Sequence, residues 1–348
     1  MKMSILHNLR EEPWGGGNQF LNALKKEWQR QGVYTERTDE ADAILFNSYP
    51  FGAEYLFDQA FKIKKQFPQK LFIYRLNGPI STIRNTDKEV DQVIAMFNQL
   101  LCDGIIFQSK WCQNENKKQF GISSVYETVI YNAPDMEIFN QKGRDPNANR
   151  TKTKLIVVSW SSNPRKGFDL YQYLDEKLNF NKYEMTFVGN TNIPFKHIHT
   201  IPAVGSIELA KLLKEHDIFI TASQKDPCSN ALVEALSCGL PAVALNDGGH
   251  QELVQTGGEL FATQEEALKK IDVVANNLNL YKSHLPKNDI GTAAKDYLSF
   301  IEQVWRETQK KRYMPKQCHL IGLTRLKSQI LIWKMKNKVR FAINLLTR

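Results

Sequence analysis

The sequence contains no uninterrupted run near the roughly 20 apolar residues that a membrane-crossing helix needs. Its first dozen residues, Met1 to Glu12, hold no apolar stretch long enough for a secretory leader. Cysteine is scarce: the five, at positions 102, 112, 228, 238 and 318, are odd in number and never spaced Cys-x-x-Cys. That argues against a disulfide framework or a structural zinc site and fits a reducing cytosol. Gly-x-Gly-x-x-Gly is missing, so a nicotinamide or flavin site is not supported. Histidine is absent between His7 and His197, and acidic residues are absent from 309 to 348. That last stretch holds eleven Lys or Arg, whereas the other 308 residues carry 35 basic and 37 acidic side chains. The whole excess behind the net charge of +9 therefore lies in the tail. A near-neutral body with one basic appendage implies an anionic partner for the appendage and no nucleic-acid partner for the body.

What is present is a repeated α/β pattern, in a chain of 348 residues that is long enough for two cores. Short apolar strands are expected at Ser4–Leu9, Ala43–Asn47, Leu71–Arg75 and Gly104–Gln108. Helices are expected over about 18–31, 51–67 and 90–102. This alternation implies a parallel sheet with helices on both faces. The polar segment Asn140–Lys152, broken by Gly143 and Pro146, reads as a linker. The pattern restarts with strands at Leu155–Ser159, Met185–Val188 and Ile218–Thr221 and helices at Phe168–Leu178 and Ile207–His216. A long helix over Ala293–Lys310 follows. Two doubly wound sheets in tandem place a ligand cleft between the carboxyl ends of their strands.

The most informative run is Asp226-Pro-Cys-Ser-Asn-Ala-Leu-Val-Glu234, followed by Cys238-Gly-Leu-Pro241 and Asp247-Gly-Gly-His-Gln-Glu252. Ser229 or Asn230 can cap a helix over Ala231–Ser237, which Gly239 and Pro241 stop. A capped helix start gathers unpaired N–H groups and positive dipole, which suits a phosphate. Glu234, about a turn in, can reach a polar group such as a ribose diol, and Gly248-Gly249 forms a turn open to close backbone approach.

This run resembles the donor-binding motif of the family-4 ("group 1") glycosyltransferases, which have the GT-B fold: two Rossmann-like, doubly wound parallel-sheet domains facing a central cleft. The first carboxylate of that motif is usually Glu, and here it is Asp226. The resemblance implies that Glu234 holds the ribose, Asp226 addresses the transferred sugar, and Ser229, Asn230, Gly248 and Gly249 serve the donor. Lys166-Gly167 resembles the family's Lys-Gly, whose lysine meets the donor diphosphate. A fixed cation there stabilises charge on the leaving group. Where the family places an arginine five residues earlier stands Ser161, with Arg165 as a substitute cation. Gly15, Gly16 and Gly17, beside Trp14, resemble the first-strand glycine loop that faces the donor. Asn132-x-x-Asp135-x-x-x-Phe139 resembles the segment closing the first domain, and Arg75 and Asn77 stand where the family shapes its acceptor pocket. The chain has no Asp-x-Asp, the pair that binds a divalent cation in the other major glycosyltransferase fold. Its first domain offers only His7 as a histidine base.

The expected organisation is an acceptor-side domain at 1–145, a nucleotide-sugar domain at 154–290, a return helix at 291–310 and a basic helical tail at 311–348. The expected activity is retaining, metal-independent sugar transfer from a UDP- or GDP-sugar to a glycan or lipid-linked acceptor, without a cofactor. In the tail, Ile332, Met335, Val339, Ala342, Ile343 and Leu346 share a helical face, with Lys334, Lys336, Lys338 and Arg340 off it. Residues 315–348 then read as an interfacial helix on an anionic membrane, giving a cytoplasmic, peripherally bound enzyme. The alternative for this helix is packing on the protein's own body or on a partner. The alternatives for function are a non-catalytic GT-B glycan-binding or scaffold protein and a GT-B sugar-nucleotide epimerase.

Overall fold

The structure, a computed structural model, describes residues 1–10, 15–47, 53, 55–85, 88–144 and 151–346. Trp14, the predicted helix start at Phe51 and the linker centre at 145–150 lie outside them, as do the side chains of Lys338, Arg340 and 341–348.

The first sheet is wholly parallel. Strands β1 (Met3–Leu6), β2 (Ala43–Phe46), β3 (Leu71–Leu76), β4 (Gly104–Phe107) and β5 (Glu127–Val129) lie side by side in chain order. Their helices are α1 (Gly15–Arg30), α2 (Tyr55–Gln66), α3 (Ile80–Arg84), α4 (Glu89–Leu101) and α5 (Lys110–Phe120). Right-handed crossovers between strands in simple order would put every helix on one face. One detour prevents that. After α1 the chain bridges Tyr34 to Met3, on the edge of β1 away from β2, before it crosses to β2. This leaves α1 on the second face. Strand residues consequently alternate between two cores, Ile44 and Phe46 facing α2 and α4, and Ala43 and Leu45 facing α1.

The second sheet has the order β11-β10-β9-β6-β7-β8, also parallel. Its strands are β6 (Thr153–Ser159), β7 (Tyr183–Gly189), β8 (His199–Ile201), β9 (Ile218–Thr221), β10 (Ala242–Leu245) and β11 (Gly258–Phe261). Between them run α6 (Phe168–Lys177), α7 (Ser206–Lys214), α8 (Asn230–Ser237), α9 (His250–Val254), α10 (Gln264–Asn276) and α11 (Leu278–Ser283). The winding direction reverses between β6 and β9, and the loops leaving those two strands open a crevice. Helix α12 (Ile290–Gln309) then returns to the first domain, where Ala294, Tyr297 and Ile301 pack on Phe20, Leu24 and Trp28 of α1. Going the other way, the chain leaves the first core at Ile130 and Ala133 and enters the second at Phe139.

Helix α13 (Leu320–Leu346) closes the described chain. It packs on the body through Leu326 and Trp333, both in the α2–α4 core. The approach is close: a side chain on Gly322 would meet Leu100 Cδ2 at 2.5 Å. The segment before it is also tied down, since the buried Asp103 accepts from Tyr313 Oη at 2.9 Å and from the Lys316 amide at 2.7 Å.

Candidate donor site at the switch point

The site begins with a backbone constraint. After β6, Asn163 caps a single 3-10 turn, Pro164–Lys166, by accepting the Arg165 amide at 2.9 Å. Gly167 then takes φ +82°, and a Cβ there would sit 2.3 Å from Ala222 Cβ and 2.5 Å from Ala222 O, at the exit of β9. Only glycine lets the two loops touch. Their contact brings Lys166 Nζ to 3.1 Å from Asp226 Oδ2, so the predicted cation and first carboxylate meet where the sheet order reverses. Burial pushes the Asp226 carboxyl up, but the Lys166 ammonium and a hydrogen bond from the Cys228 amide hold it below the ordinary range.

Ser229, and not Asn230, caps α8, its Oγ accepting the Leu232 amide. Glu234 follows one turn later. The residue is only 8% exposed, and its carboxyl has no hydrogen-bond partner among the described residues. Burial alone pushes it up to about 8, so it is mostly protonated at neutral pH. Lys166, Asp226, Ser229, Asn230 and Glu234 line one cavity of about 280 Å³. Val158, Val188, Val204 and Leu209 give the cavity an apolar part of its lining, and the exposed Trp160 lines it as well. Ser161 lines it too, and its hydroxyl accepts the Asn163 amide, so no cation stands there.

The first domain closes the cavity differently from the expectation. Gly15–Gly17 form the first turn of α1 and not a loop. Gly16 lines the cavity and Gly17 does not, and a side chain on Gly16 would overlap Asn230 Cβ at 2.4 Å. The glycine is spent on bringing α1 against α8. Gly248 and Gly249 do not line the cavity: their turn lies on the backbone of Asp226 and Pro227, with the Gly249 amide donating to Asp226 O at 2.8 Å. They position the carboxylate from behind. Arg165 turns away as well. Its guanidinium donates to Thr82 O and, at 3.2 Å, to Asn85 Oδ1, joining the 3-10 turn to the end of α3.

Arg75 is corrected most strongly. It is 1% exposed, donates to Asn47 Oδ1 and Asn132 Oδ1 at 2.6 Å each, and lies 4.5 Å over the Phe20 ring. A guanidinium sealed in this way does not meet an acceptor. Asn132 in turn donates to Cys228 Sγ and Cys228 O, both at 3.3 Å, linking the first-domain core to the donor loop. Asn77 is half-buried just past the end of β3. One interdomain residue has a role the sequence did not suggest. Glu252 of α9 accepts the Lys110 and Trp111 amides at the start of α5, at 2.7 and 2.8 Å, and Tyr131 Oη at 2.9 Å.

Two parallel-sheet domains with this crevice between them define a GT-B protein, and comparison with known proteins agrees. Residues 153–277 match the family described as Glycosyl transferases group 1. That match lies within the second domain, and the chain has the GT-B fold. A probable sucrose-phosphate synthase of Thermosipho melanesiensis is 26% identical over 189 residues, 51% of this chain and 44% of that protein. The phosphatidylinositol N-acetylglucosaminyltransferase GPI3 subunit of Saccharomyces cerevisiae is 26% identical over 201 residues, 52% of this chain and 44% of that one. The matches thus span less than half the length of these curated relatives. Among solved structures, Anabaena HepE in complex with UDP and glucose aligns with a TM-score of 0.66 at 15% identity, covering 87% of this chain and all of that one. The sucrose-phosphate synthase of Thermosynechococcus elongatus aligns with a TM-score of 0.61 at 12% identity, covering 84% and 79%.

Proposed function

We propose that this chain is a hexosyltransferase that moves a sugar from a UDP- or GDP-sugar to a glycan or lipid-linked acceptor. The observation that carries the reading is the shared cavity of Lys166, Asp226 and Glu234, whose lining also includes Val158, Val188, Val204, Leu209 and Trp160. That apolar and aromatic lining suits a flat base. Glu234, buried and without a partner, suits a ribose diol that supplies its hydrogen bonds. The start of α8 and Lys166 together suit a diphosphate. As the glycosidic bond breaks, charge grows on the departing diphosphate, and Lys166 is positioned to stabilise it without a metal ion. Asp226 then faces the hydroxyls of the transferred sugar.

Retention belongs to the same proposal. The leaving phosphate takes the acceptor proton, because His7 does not line the cavity. Its Nδ1 is engaged with Asn47 O, and burial lowers its basicity. One curated relative, named a phosphatidylinositol N-acetylglucosaminyltransferase subunit, supports a lipid-linked acceptor, whereas the relative named a sucrose-phosphate synthase supports a sugar acceptor. No helix among the described residues is long and apolar enough to cross a membrane. Peripheral access to a membrane belongs to the proposal on another ground, the eleven Lys or Arg and no acid of residues 309–348.

The test is nucleoside diphosphate release from a panel of UDP-, GDP- and ADP-sugars. Wild type should hydrolyse one donor slowly, and Lys166→Ala should lower that rate by about 100-fold or more. Glu234→Ala should chiefly raise KM. Proton NMR of the product should show the donor's anomeric configuration. If no donor is turned over and none gives a saturation-transfer signal, the chain is a non-catalytic binding protein.

A further inference from the structure

Helix α13 is two-faced, and only one face is used. Gly322, Leu326 and Trp333 seat it on the first domain, with Leu323 and Ile330 beside them. The opposite face carries Ile321, Leu331, Ile332, Met335 and Val339, all exposed, Ile321 at 86% and Met335 at 60%. Their spacing makes one stripe along the helix. Thr324 and Ser328 fall within it, yet their hydroxyls are tied back to Leu320 O at 2.9 Å and Thr324 O at 3.0 Å, so the stripe shows little open polarity. Cations border it on both sides: Arg325 and Lys336 along one flank, Lys327 and Lys334 along the other. Lys327 pairs with Asp58 of α2, and Lys336 with Glu89 of α4, which helps seat the helix.

The direction of α13 matters as much as its faces. Helix α4 ends two residues before β4 begins, so its first residue, Glu89, stands at the strand-end edge that faces the cleft. Gly322 lies against Leu100 and Lys336 against Glu89, so α13 runs antiparallel to α4 and its second half points to the cleft. The same rim holds α3, to which Arg165, the neighbour of Lys166, is joined.

We infer that the outward stripe of α13 docks into the headgroup region of an anionic membrane and thereby turns the cleft rim at α3 and α4 toward the bilayer. An apolar ridge on a tail with eleven basic and no acidic residues matches such a surface, because the ridge enters the acyl boundary while the excess positive charge of the tail, Arg325 on the border included, is drawn to lipid phosphates. A second copy of the chain matches it poorly. Two stripes facing each other would bring together tails that have eleven basic and no acidic residues each. This inference rests on the peripheral-membrane part of the function proposed above and not on the transfer chemistry.

The experiment is co-sedimentation of the full chain with phosphatidylcholine vesicles, with and without one third phosphatidylglycerol. Wild type should bind the anionic vesicles and release them as salt rises from 0.1 to 0.5 M, which shortens the range of charge attraction. The triple substitution Leu331→Ser, Ile332→Ser, Met335→Ser should weaken that binding by about tenfold or more, since each residue withdraws an apolar side chain from lipid. Its donor hydrolysis should stay unchanged, which separates failure of docking from failure of the transferase site. Hydroxyl-radical oxidation adds a second readout. Anionic vesicles should protect Met335, whereas Met136, exposed on the interdomain segment, should be oxidised as before. The inference is overturned if wild type ignores the anionic vesicles, if the triple variant binds them equally, or if Met335 stays unprotected. It is also overturned if lipid-free ultracentrifugation shows a dimer that the triple substitution dissolves.

Discussion

The two domains share an architecture and use the same edge of it in opposite ways. In the second domain the loops leaving β6 and β9 aim Lys166, Asp226 and Glu234 into one cavity. In the first, the corresponding edge turns its polar groups inward. Arg75 is shared between Asn47 and Asn132, and the opening amides of α5 are taken by Glu252 from the other domain. A helix N-terminus is a ready anion site only if no protein carboxylate already occupies it. Here α8 presents its start to the cavity, and α5 uses its start as a socket for domain docking. A strand-end position therefore does not by itself mark a ligand contact, because domain assembly competes for the same groups.

Arg75→Met is the strongest way to break this contrast. It removes two charge-assisted hydrogen bonds from buried asparagines, and the urea midpoint should fall by the equivalent of about 2–4 kcal/mol. If Arg75 instead met the acceptor, the midpoint would hold while the acceptor KM rose. Glu252→Ala comes next. It strips an acceptor from two amides and the Tyr131 hydroxyl, a loss of about 1–3 kcal/mol. The domains should separate more freely, seen as a larger radius of gyration by small-angle scattering. An unchanged radius with unchanged stability would mean that the clasp does not hold the domains together.

The smallest effect concerns Glu234 and pH. Its folded-state carboxyl is raised to about 8, above its unfolded value, so the folded chain holds the proton more tightly. The resulting stability is complete below the unfolded pKa and is lost as pH climbs through about 8. Glu234→Gln cannot lose that proton. Thermal melts should show the variant gaining on wild type between pH 6 and 9, by about 1 kcal/mol or more at the upper end. A constant difference across that range would place the carboxyl in water.

Much of the second-domain side of the cavity could be read from residue spacing, because its parts are local. Ser229 and Glu234 lie on one short helix, and Lys166 is placed by the glycine that follows it. The first-domain assignments fared worse for a physical reason: whether Arg75 faces a cleft or a core depends on the asparagines at 47 and 132, distant in sequence. Helix α5 escaped notice because its inward positions include Cys112 and Asn116, which break the apolar period expected of a packed face. The tail was half-read. Its outward stripe follows from spacing, but its inward face, through Gly322, Leu326 and Trp333, needed α4 to define it.

The sequence by itself determined the two parallel sheets, the return helix, the short capped helix that carries Ser229 and Glu234, and the concentration of positive charge in the tail. These follow from local periodicity, capping and composition, which act within a few residues along the chain. Only the tertiary structure decided that Glu252 clasps α5, that Arg165 and Arg75 serve assembly, and which face of α13 is left to solvent. Those outcomes depend on groups far apart in the chain competing for the same hydrogen bonds and the same apolar contacts.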